Sequence, residues 1–321
     1  MTARIIATAR IFPATRAMLE SAGSVIHPTD DEPWDSATLR DALAEAEAMM
    51  AFMTDRVDAE LLKAAPKLRI LACALKGADN IDMEACRARG IAVSIVPDLL
   101  TSPTAELAIG LAIGLARHIR AGDAAVRADF RGWRPKFYGL GLDGAKVTIL
   151  GLGRLGRAIA ARLMPFGCQL RGVDPVNEAP GVDRMPLEEA LQGAELTIAA
   201  LPLTVETRNL VGRSAIACLP TGALLVNIGR GSTVDEIAVA EALQEGQLGG
   251  YAADVFGMED WALPDRPRVI PQALLDHPRS LFTPHLGSAT LAARRAIEAE
   301  AASNILGGLG VSVVSEGSVS P

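Results

Sequence analysis

The chain has 321 residues, half of them apolar and 21% charged, with a formal net charge of −7. That length holds two domains with cores of their own. The acidic balance argues against nucleic acid or an anionic membrane as the main partner, while a few cations could still make a local site for a small anion. The longest apolar run, LAIGLAIGLA from Leu107, is half what a membrane span needs, and MTARIIATARIF shows no export signal. Cys73, Cys86, Cys168 and Cys218 are scattered without a C-x-x-C, so neither zinc site nor disulfide framework is expected. The expectation is a cytoplasmic protein.

In chain order, short β-type runs alternate with amphipathic helical runs, the pattern of a parallel sheet with crossover helices. The first hundred residues offer RIIATA, SVIHP, AMMAFM, RILACAL and IAVSIV as strands. Between them lie the helical stretches SATLRDALAEAE, DAELLKAAP, stopped by Pro66, and IDMEACRARG, closed by Gly90. One long helix is expected from Thr104 to about Asp129. Apolar on most faces, it is expected to lie between domains or subunits. A second βα series follows in KVTILGLG, QLRGVD, LTIAALP, ALLVNIG, GYAADV and LFTPH, with a last helix from about Thr290 to Leu306. The expected fold class is α/β, two doubly wound parallel-sheet domains with a ligand cleft between them.

VTILGLGRLGRAIAARL sets Gly151, Gly153 and Gly156 in G-x-G-x-x-G spacing between an apolar strand and a helix, and Asp174 follows about 20 residues on. The first Gly permits the tight turn, the second lets backbone approach a pyrophosphate, and the third lets helix pack on strand. The helix N-terminus then offers amides and dipole to phosphate. Asp174 would accept hydrogen bonds from ribose hydroxyls and repel a 2′-phosphate. Pro175 removes an amide that could hold one. Both favour NAD over NADP, with Arg171 and Arg184 close enough to leave the alternative open. A turn whose glycines serve packing alone is the bland reading.

Three residues stand at the ends of later strands: Arg230 in LVNIGRGSTVDE, Glu259 in GMEDW and His285 in LFTPHLGSAT. Carboxyl ends of parallel strands collect functional side chains. An Arg, a Glu and a His there read as a cation for an anionic substrate, a carboxylate to orient and polarise a base, and the acid/base itself. Each has a bland alternative: Arg230 paired with Asp235, Glu259 as a solvated acid, His285 as a structural histidine.

With these segments in view, GLGRLG, LPLT at Leu201–Thr204, NIGRGSTVDE and PHLGSAT resemble the NAD-dependent D-2-hydroxyacid dehydrogenase family over nearly the whole chain. MMAFMTDRVDAELL, CALKGADNID, VPDLLTSPTAELAIGLAIGLARHIRA, FRGWRPKFYG and LGGYAADVFGMEDWALPDRP resemble its phosphite dehydrogenase branch. The resemblance implies a Rossmann NAD-binding domain over 100–287. It also implies a flavodoxin-like substrate domain, discontinuous over 1–99 and 288–321, and a homodimer.

It implies catalytic roles for Arg230, Glu259 and His285, with His285 as general base. Substrate contacts are implied for Lys76, Gly77, Met53, Arg230, Arg294, Trp133 and Tyr138. Cofactor contacts are implied for Thr104, Gly151, Gly153, Arg154, Leu155, Gly156, Asp174, Pro175, Leu201, Pro202, Ile228, Gly229, Asp254 and Gly287. In the broad family a small or apolar residue usually stands where Lys76 does; in the branch a Lys there binds substrate. A 2-hydroxyacid carries one carboxylate charge. Phosphite near neutral pH is largely a dianion and needs more than one cation, which Lys76 and Arg230 would supply. The implied reaction is NAD-dependent oxidation of phosphite to phosphate, part of phosphorus metabolism.

Several positions keep a second reading: Arg294 as a surface helix residue, Met53 as core packing, Trp133 and Tyr138 as interface packing, and Thr104 as a helix-start residue. Arg154 departs from the branch pattern, as do the short loop between Pro175 and Met185 and the tail VSVVSEGSVSP. The competing functions are a D-2-hydroxyacid dehydrogenase or glyoxylate/hydroxypyruvate reductase, and a non-enzymatic NAD-sensing corepressor on the same fold.

Overall fold

The structure is a computed structural model that describes residues 2–32, 34–133 and 135–311. Most of the C-terminal tail singled out above therefore lies outside the described residues. The chain divides into two compact units, Met1–Leu100 with Ala289–Pro321, and Thr101–Ser288.

In the first unit the strands are β1 (Ala3–Ala7), β2 (Gly23–Ile26), β3 (Ala48–Ala51), β4 (Ile70–Cys73) and β5 (Ala92–Ser94). They pair parallel in the order β2-β1-β3-β4-β5, the flavodoxin-like doubly wound order. β3 and β4 are buried at every residue, which is why AMMA and ILAC are continuously apolar rather than alternating. Asp35, Asp58 and Asp82 each begin a helix by accepting amides two or three residues on. Thr290 does the same for the helix Leu291–Leu309, which returns the chain to this unit. Its Ile297, Ala301, Ala302 and Ile305 are buried with Ile5, Met50 and Ile70. Each buried Ile or Met among them contributes about 1.5–3 kcal/mol, and each Ala less.

The second unit holds β6 (Lys146–Leu150), β7 (Gln169–Val173), β8 (Asp183–Arg184), β9 (Leu196–Ala199), β10 (Ala223–Asn227), β11 (Leu248–Ala253) and β12 (Ser280–Phe282). All pair parallel, in the order β12-β11-β10-β9-β6-β7-β8. The strand order reverses on either side of β6, so a switch point lies between β6 and β9. β8 is a two-residue edge strand in the segment that sequence patterning leaves as a loop; two residues are too short for any periodic signal.

The expected single helix from Thr104 to Asp129 is two helices, Thr101–Ala116 and Ile119–Asp129. The break is His118, in the left-handed region at φ 53°. Arg279 holds it there, donating through Nη1 to His118 Nδ1 and, at 3.3 Å, to Leu115 O. The first helix is apolar because it is built into the second unit's own core, with Ala108, Leu111, Ala112 and Leu115 packed among Val147, Ile149 and Val226. The second helix has no buried residue. No helix among the described residues is long and apolar enough to cross a membrane.

Candidate active site

The glycine turn follows β6 and opens the helix Arg154–Leu163. Gly151 takes φ +89°, and a Cβ there would lie 2.8 Å from Ala200 O. At Gly156 a Cβ would sit 1.9 Å from Gly151 O, so this glycine is what lets the helix close onto the turn. Gly153 is different. Nothing lies within 4 Å of its Cβ position, so the turn is open on the side where the helix presents its first amides, those of Arg154 and Leu155 among them. An open backbone face at a helix N-terminus fits a dinucleotide pyrophosphate.

Asp174 follows β7 and organises the next corner. Its Oδ2 accepts the Leu152 amide at 2.8 Å, and its Oδ1 accepts Val176 N, Asn177 N and Asn177 Nδ2 at 2.9, 2.6 and 3.1 Å. Partial burial pushes the carboxyl up, but the bonds from Asn177, Val176 and Leu152 outweigh it and hold the group below its usual range. It is thus an ionised acceptor beside the glycine turn, the placement a ribose diol requires. Arg184 Nη1 is turned onto the carbonyls of Asp174 and Pro175 at 3.4 Å, and its Nη2 meets Glu178 at 3.3 Å.

The other residues assigned to the cofactor gather at the same strand ends. A Cβ on Gly229 would stand 2.5 Å from Leu201 O, so the chain after β10 runs against the chain after β9. Ile228 N donates to Ala199 O at 3.0 Å, and Pro202 O accepts Thr207 Oγ1 at 2.6 Å. A Cβ on Gly287 would lie 3.0 Å from Thr104 Oγ1 and 3.3 Å from Asp254 Oδ2, bringing those three together. Thr104 is not the helix start, since the helix begins at Thr101.

Arg230, Glu259 and His285 stand after β10, β11 and β12. Asn227 closes β10, and its Nδ2 holds Arg230 O at 3.0 Å while its Oδ1 accepts Gly229 N at 3.2 Å. Asp235 is engaged in capping the next helix, accepting Ile237 N and Ala238 N. Glu259 uses both oxygens, Oε1 accepting Phe256 N at 2.9 Å and Oε2 meeting His285 Nδ1 at 2.5 Å. With Nδ1–H directed at a carboxylate, Nε2 is the nitrogen left to take a proton. His285 and Glu259 are 28% and 29% exposed in their side chains, so the pair is sheltered yet reachable. His285 is itself in the left-handed region at φ 55°, an uncommon conformation for a residue with a Cβ. Asp254 fixes it there. Its backbone O accepts His285 N at 2.9 Å, and its carboxylate accepts Thr283 Oγ1, Leu286 N and Gly287 N.

In the first unit Lys76 and Gly77 are half-buried in the turn after β4, and Met53 is half-buried after β3. Arg294 connects these two strand ends, donating to Ala74 O at 3.2 Å with its guanidinium 5.6 Å over the Phe52 ring. Its side chain is 24% exposed, with Glu298 at 3.8 Å. Burial lowers its pKa and Glu298 partly restores it. This is not the solvated surface arginine of the bland reading. Asn80 ties the loops that carry Met53 and Lys76, its Nδ2 donating to Asp55 O at 2.6 Å and to Phe52 O at 3.4 Å.

Trp133 and Tyr138 are each 78% exposed. Tyr138 lines a cavity of about 400 Å³ with His118, Glu195, Thr221 and Arg279, at the amino ends of β9, β10 and β12. Arg230, Glu259 and His285 stand at the carboxyl ends of the same sheet, so within its own unit Tyr138 does not share their surroundings. Sequence reasoning missed Asn227, Thr283, Glu236 and Asp260. The first two were visible only as polar residues closing apolar strands, and the last two looked like ordinary surface acids.

Residues 109–287 match the model of the D-isomer specific 2-hydroxyacid dehydrogenase NAD-binding domain. The chain belongs to that family. As a family member it is an NAD-dependent oxidoreductase, and the open glycine turn and Asp174 corner lie inside its NAD-binding domain. Similar relatives include a glyoxylate reductase of Pyrococcus horikoshii, 34% identical over 95% of this chain and 92% of the relative. A D-3-phosphoglycerate dehydrogenase of Mycobacterium leprae is 36% identical over 81% of this chain and 48% of its own. Among solved structures, an NADPH-dependent glyoxylate/hydroxypyruvate reductase of Sinorhizobium meliloti, in complex with NADP and malonate, aligns with a TM-score of 0.82. It is 29% identical and covers 95% of this chain and 92% of that one.

Proposed function

We propose that this member of the family oxidises phosphite to phosphate with NAD. The observation that carries the reading is Lys76, placed after β4 where Arg294 is anchored on Ala74 O. Arg294 has Glu298 at 3.8 Å to meet its charge, so Lys76 is the cation that this strand end adds to the single Arg230 that a monocarboxylate calls for. A dianion with three equivalent oxygens suits more than one cation. When bound, NAD supplies the acceptor for the hydride that leaves phosphorus. The chain's own residues do the rest. Lys76 and Arg230 hold the oxygens and screen their charge, so that water can approach an anion. Glu259 fixes the His285 ring, and His285 Nε2 takes the proton of the water whose oxygen forms the new P–O bond.

A second reading, reduction of glyoxylate or hydroxypyruvate, is favoured by the names of the relatives, several of them glyoxylate reductases. It uses the same Arg230, Glu259 and His285 and leaves Lys76 without a task. NADH formation with NAD and phosphite, measured for the wild type and Lys76→Ala, separates the two. Phosphite turnover largely lost in the variant supports the first reading. NADH consumption with glyoxylate or hydroxypyruvate, and none formed with phosphite, selects the second. The exposed Ile119, Val126, Phe130, Trp133 and Tyr138 support a homodimer formed through this stretch.

A further inference from the structure

We propose that Asp260 is a positioning residue that fixes the anion-binding Arg230 against the Glu259–His285 pair. This rests on the roles proposed above for those three residues, but not on which anion is the substrate. Asp260 is 5% exposed and offers no surface to a ligand. It follows Glu259 directly in the chain, and its Oδ2 accepts the amide of Ser232, two residues after Arg230, at 2.6 Å. One carboxylate therefore joins the loop bearing the cation to the turn bearing the orienting acid. Burial raises the Asp260 carboxyl above its usual range, opposed first by its bonds from Ser232 and then by the Arg230 charge, which therefore acts on this same carboxylate.

The two loops are in direct contact at this point. A Cβ on Gly231 would fall 1.9 Å from Phe256 C and 2.1 Å from Gly257 N. Asn227 Nδ2 secures Arg230 O on the one side, and Arg266 Nε donates to Met258 O at 2.9 Å on the other. Glu236, at the start of the helix that follows the Arg230 loop, accepts Gly257 N at 2.9 Å and is a second tie between the two segments. Removing the Asp260 carboxylate thus leaves Arg230 on its strand and Glu259 on His285. What is lost is the side-chain bond between the two segments that lies nearest in sequence to both Arg230 and Glu259. Reaction of a bound anion depends on the spacing of those two residues, because the same oxygens must meet the guanidinium while the reacting atom faces His285.

The test is steady-state kinetics of Asp260→Ala, Asp260→Asn and Arg230→Lys, and of the Ala variant in the Lys background. The anion used is whichever of phosphite or glyoxylate the wild type turns over. A wild type active on glyoxylate alone overturns the substrate proposal and leaves this one to be tested with glyoxylate. The expected result for Asp260→Ala is a rise of about tenfold in KM for the anion, with KM for the cofactor within about twofold. Asp260→Asn, which keeps an oxygen for Ser232 N, recovers most of the loss. In the Lys background the Ala substitution adds little, since the group it positions is already altered. Anion and cofactor constants rising together, an Asn variant as impaired as the Ala variant, or effects that multiply in the double variant would each overturn the proposal. Should Asp260→Ala not fold, Asp260→Ser replaces it in the same cycle, with the same outcomes.

Discussion

His285 Nδ1 stands 2.5 Å from Glu259 Oε2, and the other oxygen of Glu259 is held by the Phe256 amide. The carboxylate has no freedom to swing away, so the imidazole is presented in one orientation. Two variants separate holding from chemistry. His285→Asn, whose side chain tolerates the left-handed conformation, should keep cofactor binding while kcat falls by about 10²–10⁴. Glu259→Gln should also lower kcat, because Gln has one acceptor oxygen for the two donors that Glu259 serves; either the Phe256 amide loses its partner or an NH₂ faces Nδ1 and favours the wrong tautomer. Rapid-mix turnover with a parallel cofactor titration checks both. Loss of cofactor affinity in His285→Asn would contradict the assignment.

Gly153 and Gly156 sit three residues apart and should respond oppositely. An added methyl at Gly156 meets Gly151 O at 1.9 Å. Gly156→Ala is therefore expected to cost more than about 2 kcal/mol in stability, since backbone cannot give way as a flexible side chain can. Gly153→Val meets nothing within 4 Å of its Cβ and should fold normally, yet bind NAD at least about tenfold more weakly by crowding the pyrophosphate face. Thermal melts with calorimetric NAD titration distinguish a turn that packs from one that also binds.

The order of elements was legible because both sheets are parallel and buried, which writes each strand as a short apolar run between helices. Gly151, Asp174, Arg230, Glu259 and His285 were legible for a related reason: each follows such a run, at the end where ligands bind. What escaped detection depends on contacts between segments distant in sequence. The break at His118 is made by Arg279, 161 residues away. Asp260 reads as one more acid in GMEDW until the Ser232 amide is found against it. The apolar helix Thr101–Ala116 was legible as buried, but what buried it was not.

Phe130, Trp133 and Tyr138 are 63%, 78% and 78% exposed. Aromatic surface open to water is what the proposed homodimer would cover. Phe130→Ser/Trp133→Ser is expected to shift the assembly towards monomer with little change in unfolding temperature of the second unit, because none of this surface belongs to the core. Sedimentation velocity over a concentration series is the measurement. A wild type that sediments as a monomer at every concentration would end the dimer proposal.

Glu236 and Asp55 predict how stability changes with pH. Burial raises Glu236 from 4.5 to about 7, opposed by the Gly257 amide and reinforced by Asp260 and Glu259. Burial raises Asp55 from 3.8 to about 6 against its bonds from Thr8 and Phe52 N. Between the unfolded and folded values the native state binds more protons than the unfolded chain, so unfolding free energy falls as pH rises. The contribution is complete below about pH 4 and lost by about pH 7. Glu236→Gln isolates one of the two groups. Its amide oxygen can still accept Gly257 N, and its amide nitrogen replaces an Oε2 that has no hydrogen-bond partner. Relative to wild type, the variant should gain little at pH 4 and up to about 3 kcal/mol at pH 8. Urea unfolding at pH 4, 6 and 8 measures this directly. Parallel pH profiles for the two proteins would mean that Glu236 is ionised in the native state at a lower pH, with its charge met by groups other than the Gly257 amide.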